Sequence, residues 1–319
     1  MLGDNRTDTV NPLWSGRNEK ILNMSAVNEI KTPASIIATR VPRYLTTIRV
    51  WESLYALPFC FMGMILAADG WPGWSVFIWI TVALTGVRTL GMAANRFLHR
   101  KEDVHNPRTA DRHLPTGKLK PFEVFGLMVV GTGVFFFAAS QLNWLALALA
   151  PVAAAYVVLY SFAKYYTWAC HFFLGWALAI SPSAAWIAVT GRLDPEAVLL
   201  SVAVALWAGG FDIVYGCADL EFDRSYGINS FPKRWGVAAA LRTTRMMHAS
   251  AAAALLALGF WMDLSFYYFI GWAIAVTLLA GENGLLKVDD LSKLRSPLFQ
   301  YNSVISMVLL LFTILAVEL

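Results

Sequence analysis

Apolar positions along this chain fall into nine long runs separated by polar connections. A bilayer core of ~30 Å takes about 20 mostly apolar residues as a helix. Segments near 45–68, 72–97, 121–139, 142–161, 168–189, 195–216, 241–262, 264–282 and 298–318 meet that requirement. Residues 1–44 are polar and hold no apolar stretch of the signal-peptide kind. They read as a cytoplasmic tail, ending in an interfacial helix around Ile36–Leu45. The pattern therefore predicts an all-α protein, a polytopic membrane bundle of nine transmembrane helices over 45–319 behind a polar tail over 1–44.

Composition removes the main alternatives. Hydrophobic residues make up 58% of the 319 positions and charged residues 14%, against about 25% charged in a soluble domain. So few charges cannot cover a soluble surface, which excludes a soluble globular enzyme, a disordered chain and a disulfide scaffold. Cys60, Cys170 and Cys217 lie in apolar stretches at spacings that fit no zinc motif. They read as small buried hydrophobes.

The net charge of +4 says little, but its placement says more. All but three of the 25 Lys and Arg lie in the tail through Arg49 or in or near the even-numbered connections. Arg88 and Arg96 sit inside the second run, and Arg192 sits in an odd connection beside Asp194 and Glu196. By the positive-inside bias, the N-terminus and the even connections face the cytoplasm, with the chain in the inner membrane. Trp71, Trp74, Trp144 and Trp261 flank the odd connections as an aromatic belt does.

Two polar constellations stand at the cytoplasmic ends. The second run ends in Asn95, His99 and Asp103, and the sixth in Tyr215, Asp219 and Asp223, each set spaced by four. That spacing puts each set on one helix face. Asp212 lies two turns further back on the second stripe. Carboxylates on one face repel, and a hard cation relieves them; Mg²⁺ bound through carboxylates and substrate phosphates is the expected solution. Arg108, Arg112, Lys164, Arg224, Lys233 and Arg234 crowd beside the stripes and suit the remaining phosphate charge. Taken singly, each of these residues also fits an ordinary solvated loop. A proton or ion relay accounts for Asp212, but not for carboxylates gathered at one membrane face. A transporter of an anionic or lipid-linked substrate stays open, because Pro182 is read as breaking the fifth run and the two stripes form a weak parallel repeat. A phosphatidyltransferase needs an Asp-Gly-x-x-Ala-Arg core, which this chain lacks.

At these residues the sequence resembles the UbiA superfamily of intramembrane aromatic prenyltransferases. Asn95, His99 and Asp103 stand where the family's first motif reads Asn-x-x-x-Asp-x-x-x-Asp. They are followed by Arg108-Thr-Ala-Asp-Arg112-His-Leu-Pro-Thr-Gly117. The second motif matches Asp212, Asp219 and Asp223, followed by Gly227 through Gly236. Lys164, His171-x-x-Leu-Gly175, Ala185 through Gly191 and Ala56 through Phe59 also resemble the family. The likeness is nearest the branch that prenylates a dihydroxynaphthoate on the futalosine route to menaquinone, with the 4-hydroxybenzoate branch close behind. His99 departs from the family's Asp. It could ligate metal weakly, since Mg²⁺ prefers oxygen, or bind phosphate once protonated.

The resemblance implies transfer of a polyprenyl group from a polyprenyl diphosphate to an aromatic acid, with Mg²⁺, at the cytoplasmic mouth of the bundle. It implies Asn95, His99, Asp103, Asp219 and Asp223 at the metal, and Arg108, Arg112, Lys164 and Arg224 at the diphosphate. Asp212 and Tyr215 would orient or deprotonate the acceptor hydroxyl, though Tyr215 fits plain packing equally. Arg49 would take the acceptor carboxylate or serve as a positive-inside anchor. Arg88, deeper in the second run, reads as a structural partner. Phe59, Phe97 and Trp186 are candidates for an aromatic wall around a carbocation.

Overall fold

A computed structural model describes residues 33–49, 53–288 and 297–319, with side chains described for 40–49, 57–288 and 301–319. Most of the expected tail, and Lys293 and Arg295, lie outside the described residues. The chain divides into two units, 1–42 and 43–319. In the first, the described residues form the start of helix α1 (Pro33–Thr47), which includes the stretch expected to be an interfacial helix.

The second unit is helical, with no extended strand among the described residues. Its helices are α2 (Ser53–Ala68), α3 (Trp74–Leu98), α4 (Arg100–His105), α5 (Pro121–Ser140) and α6 (Trp144–Leu159). After a 3₁₀ turn come α7 (Ala163–Tyr166), α8 (Cys170–Thr190), α9 (Pro195–Ala218) and α10 (Leu220–Tyr226). The last three are α11 (Phe231–Trp261), α12 (Phe266–Leu285) and α13 (Pro297–Glu318). Each of the nine apolar runs corresponds to one long helix or, for α6 and α7, to one continuous stretch.

Among the described residues, seven of these segments are long and apolar enough to cross a membrane. The nine expected spans exceed that number for two reasons. The described apolar part of α2 is only Leu57–Ala68. Helix α11 carries Lys233, Arg234, Arg242 and Arg245 in its first half and kinks at Gly236, whose φ of 79° breaks the helical path. Trp71, Trp74, Trp144 and Trp261 are exposed at helix ends, 47–79% accessible, as a belt in the interface requires.

Lipid is as apolar as leucine, so close backbone packing holds the bundle together. Helix α9 is its central post, with 72% of its apolar window buried, against 17–39% for the other spans. It packs on α8 and α11, while α2 packs on α8 and α13, and α3 on α5. Glycines set several close crossings. A Cβ on Gly86 would stand 2.9 Å from the Gly131 carbonyl, joining α3 to α5. One on Gly175 would stand 2.4 Å from the Ala205 carbonyl, joining α8 to α9.

Pro182 does not break the fifth run. Helix α8 continues through it, because the Ser181 hydroxyl donates to the Leu178 carbonyl (2.8 Å) that the missing proline N–H leaves open.

Candidate active site

Two of the long helices end alike. Helix α3 stops at His99 (φ −91°, ψ 15°) and re-forms as α4. Helix α9 stops at Asp219 (φ −98°, ψ 3°) and re-forms as α10. Both residues lie in the sparsely populated bridge region, where many active-site residues sit. The fours spacing predicts each stripe on one straight helix. Instead each stripe is bent at its middle residue, and the short helices present Asp103 and Asp223, both buried.

The loop after α4 supplies the cations. Arg112 Nη1 donates to both oxygens of Asp103, at 2.8 Å each. Arg108 Nε and Nη2 grip Asp219 across the mouth at 2.7 and 2.5 Å, a bidentate fork. The loop is tied down locally. The Arg108 N–H donates to Asn106 Oδ1 (2.9 Å), and the buried Thr109 hydroxyl to the Asp103 carbonyl (3.0 Å). Further along, Tyr44 donates to Glu123 (3.0 Å) and Thr47 pairs with His113 (3.3 Å), fixing the loop's far end to residues 43–47.

His99 is buried, and its Nδ1 pairs with the Tyr165 hydroxyl at 2.7 Å. Burial, then the charges of Lys164, Arg96 and Arg112, push its pKa down to about 2. The imidazole is therefore neutral and brings no charge to a phosphate. Asp223 is the opposite case. Burial pushes its carboxyl up to about 6, with the Ser230 hydrogen bond and the Lys164 charge opposing and the Asp219 charge reinforcing.

Behind this mouth lies a cavity of about 1360 Å³. Asn95, His99, Asp103, Arg108, Arg112, Lys164, Asp212, Tyr215, Asp219 and Asp223 line its polar end, and Arg49 and Arg88 line it too. Its remainder is apolar, bounded by residues such as Ile80, Leu84, Leu149, Val157 and Ile180, and it reaches Leu142 and Ala188 near the opposite helix ends. Arg88 Nη2 donates to the Arg49 carbonyl (3.4 Å), where Arg49 itself adopts a left-handed φ of 51°. Tyr215 meets Phe211 edge-on at 6.0 Å.

The structure thus brings every expected site residue to one cavity except Arg224, which is exposed and lines none of it, and Lys233 and Arg234, which turn instead to the Ile228 carbonyl and the Trp235 ring. Phe59, Phe97 and Trp186 do not form its wall either. Phe59 is buried against Trp207, Phe97 lies under Arg100, and Trp186 donates to Asp194 (2.9 Å). Besides Tyr215, aromatics that do face the cavity are Phe135, Tyr156, Tyr160, Trp176, Phe211 and Phe222. The pattern of apolar residues carried no signal to separate these from packing aromatics. Sequence reasoning also missed the contact between His171 Nδ1 and Asp212 Oδ2, 2.6 Å across α8 and α9. Of the cysteines, Cys60 and Cys217 are buried and Cys170 is half-buried; Cys60 and Cys170 line the cavity.

Among the described residues, no three His, Cys, Asp or Glu side chains converge closely enough to hold a metal ion alone. The donor chemistry nonetheless fits Mg²⁺. The mouth offers carboxylate and amide oxygens, and one of its carboxyls, Asp223, is held up to about 6 by burial. Mg²⁺ in such sites takes one or two carboxylates and completes its shell with substrate phosphates and water. A charged mouth over a long apolar cavity suits an amphiphile with an anionic head and a hydrocarbon tail.

Comparison with known proteins agrees. Residues 56–304 match the UbiA prenyltransferase family, and the chain belongs to that family. It is an integral membrane prenyltransferase. A 4-hydroxybenzoate octaprenyltransferase of Aliivibrio fischeri (strain ATCC 700601 / ES114) is 30% identical over 266 residues, 82% of this chain and 89% of the relative. One from Nitrosococcus oceani is 32% identical over 242 residues, 75% and 81% of the two chains. The apo structure of a UbiA homologue from Aeropyrum pernix K1 superposes with a TM-score of 0.75 at 28% identity, covering 82% of this chain and 96% of that one. A UbiA homologue from Archaeoglobus fulgidus, bound to DMAPP and Mg²⁺, shares the fold at a TM-score of 0.68 and 16% identity, over 87% and 99%.

Proposed function

We propose that this enzyme moves a polyprenyl group from polyprenyl diphosphate to an aromatic hydroxy acid, of hydroxybenzoate or hydroxynaphthoate type, in quinone biosynthesis. The reaction takes place at the cytoplasmic mouth of nine membrane-spanning helices, with the N-terminus on the same side. The observation that carries this reading is the pairing at the mouth. Arg112 holds Asp103 and Arg108 holds Asp219 over a cavity whose far part is apolar.

Each ion pair matches half of a metal–diphosphate head. Arg108, Arg112 and Lys164 have the charge and donors for diphosphate oxygens. Asp219 and Asp223, with Asn95 and Asp103 opposite, have the oxygens for Mg²⁺; His99 is their neutral neighbour. When bound, Mg²⁺ offsets the charge that builds on the leaving diphosphate. The arginines serve the same end, because they meet that charge more strongly as the C–O bond lengthens. The apolar cavity holds the prenyl tail and keeps water from the allylic cation. The cation then alkylates an electron-rich ring carbon beside the acceptor hydroxyl, with Asp212 and Tyr215 at the hydroxyl and Arg49 at the carboxylate. Arg224 stands outside this arrangement.

The named relatives favour a benzoate acceptor, and the residues around the two motifs favour a naphthoate. Purified enzyme given one prenyl diphosphate and an equimolar mixture of 4-hydroxybenzoate and a dihydroxynaphthoate separates them by the mass of the product. A product from neither acid overturns the aromatic-acid reading.

A further inference from the structure

We propose that His171 is a positioning residue for the reaction: it holds Asp212 so that the carboxylate can take the acceptor hydroxyl's proton. The assignment rests on the reading of Asp212 given above and deepens it. Three observations carry it. First, Nδ1 of His171 lies 2.6 Å from Oδ2 of Asp212. A carboxylate oxygen only accepts, so Nδ1 donates. That contact fixes one oxygen of Asp212 and leaves Oδ1 for a ligand in the cavity that both residues line.

Second, the imidazole is 6% exposed, and its other nitrogen, Nε2, is buried with no hydrogen-bond partner among the described residues. A buried, unpartnered ring nitrogen is costly and is not what packing alone selects. Third, the fold makes room for this ring. A Cβ on Gly216 would stand 2.6 Å from its Cε1 and 2.9 Å from its Nε2. The contact is also unnecessary for joining α8 to α9, because Gly175 already brings those backbones together against Ala205 and Gly209.

The chemical step is balanced without a further reagent. As the allylic C–O bond breaks, its electron pair leaves with the diphosphate, and the ring carbon forms the new C–C bond. Asp212 Oδ1 takes the hydroxyl proton, giving a neutral dienone. The alkylated carbon then loses its hydrogen as a proton to the released diphosphate, and Asp212 returns its proton to the oxygen. The His171 N–H holds the carboxylate in one orientation through both transfers.

The test uses the full chain in detergent with Mg²⁺, a prenyl diphosphate and an aromatic hydroxy acid. His171→Leu should lower kcat by about 100-fold, the scale of a lost proton-transfer group, and leave the KM for prenyl diphosphate and the thermal midpoint unchanged. His171→Asn restores a donor near Nδ1 and should recover most of that loss, which a space-filling role does not predict. In the Asp212→Asn background, His171→Leu should cost nothing more, because the two act as a unit. If the leucine variant fails to fold, His171→Met, which also lacks a donor, and its double with Asp212→Asn give the same reading. An unimpaired His171→Leu beside an inactive Asp212→Asn overturns this assignment alone. A fully active Asp212→Asn overturns the acceptor reading of Asp212, and the assignment with it.

Discussion

The two helix ends at the mouth are built alike and charged unlike. Each is a long helix stopped by one bridge-region residue and followed by a short helix, His99 before α4 and Asp219 before α10. At the first end the stop is a neutral imidazole held by Tyr165, and the only motif carboxylate, Asp103, is clamped by Arg112. At the second end the stop is itself a carboxylate, and Asp212 and Asp223 flank it. Both arginines that neutralise the mouth come from the loop after the first end. One end therefore supplies mainly anion-binding groups and the other mainly cation-binding groups. A ligand that carries both charges has to touch both ends.

This asymmetry can be broken most directly at the stop residues. Asp219→Asn should lower turnover by roughly 1000-fold or more, the scale of lost charge stabilisation in the transition state. His99→Asn, which removes no charge, should cost less than about tenfold, within the range of one neutral hydrogen bond. Initial rates at saturating substrates decide this, and equal losses at the two positions would contradict the division of labour.

Stability should order the two clamps the other way. Arg112 is 20% exposed and its Asp103 partner 9%, so Arg112→Ala strands a buried carboxylate and should cost about 3 kcal/mol. The Arg108 side chain is 39% exposed, so Arg108→Ala should cost less than about 1 kcal/mol. Denaturation in detergent, read without ligand, separates them.

Below its raised pKa of about 6, Asp223 keeps a proton that a bound cation must displace. The Mg²⁺ concentration for half activity should therefore fall by about tenfold per pH unit as pH rises towards 6, then level off. A flat dependence would remove Asp223 from the metal site. The smallest expected effect is at Arg224, where alanine should leave kcat/KM essentially unchanged, since the residue is exposed and outside the cavity.

Much of this was legible before any coordinates. Length and hydropathy located the helices, because a lipid-facing helix must be apolar for most of its length. The fours spacing of Asn95, His99 and Asp103, and of Tyr215, Asp219 and Asp223, found both ends. What spacing cannot carry is pairing across the bundle. Arg108 reaches Asp219 from a loop over a hundred residues earlier, and no local pattern encodes that fork. Arg224 illustrates the same gap, since it lies next to Asp223 in sequence yet points away from the cavity. His171 was visible only as part of a family-like string; its contact with Asp212 depends on where Gly175 lets α8 and α9 cross. The aromatic wall could not be read because apolar residues in a membrane helix face lipid, core or cavity with the same sequence signal. Helix α11 shows a further limit, since the apolar run gave no sign of the kink at Gly236 that lies just before it.

The most direct test of the central claim is the mass of the product formed by purified enzyme from a polyprenyl diphosphate and an aromatic hydroxy acid, with Mg²⁺ and with Mg²⁺ chelated. The account predicts a prenylated acid with loss of diphosphate, formed only with Mg²⁺ and absent with Asp219→Ala. Undiminished product after chelation, or from the Asp219→Ala enzyme, would contradict it.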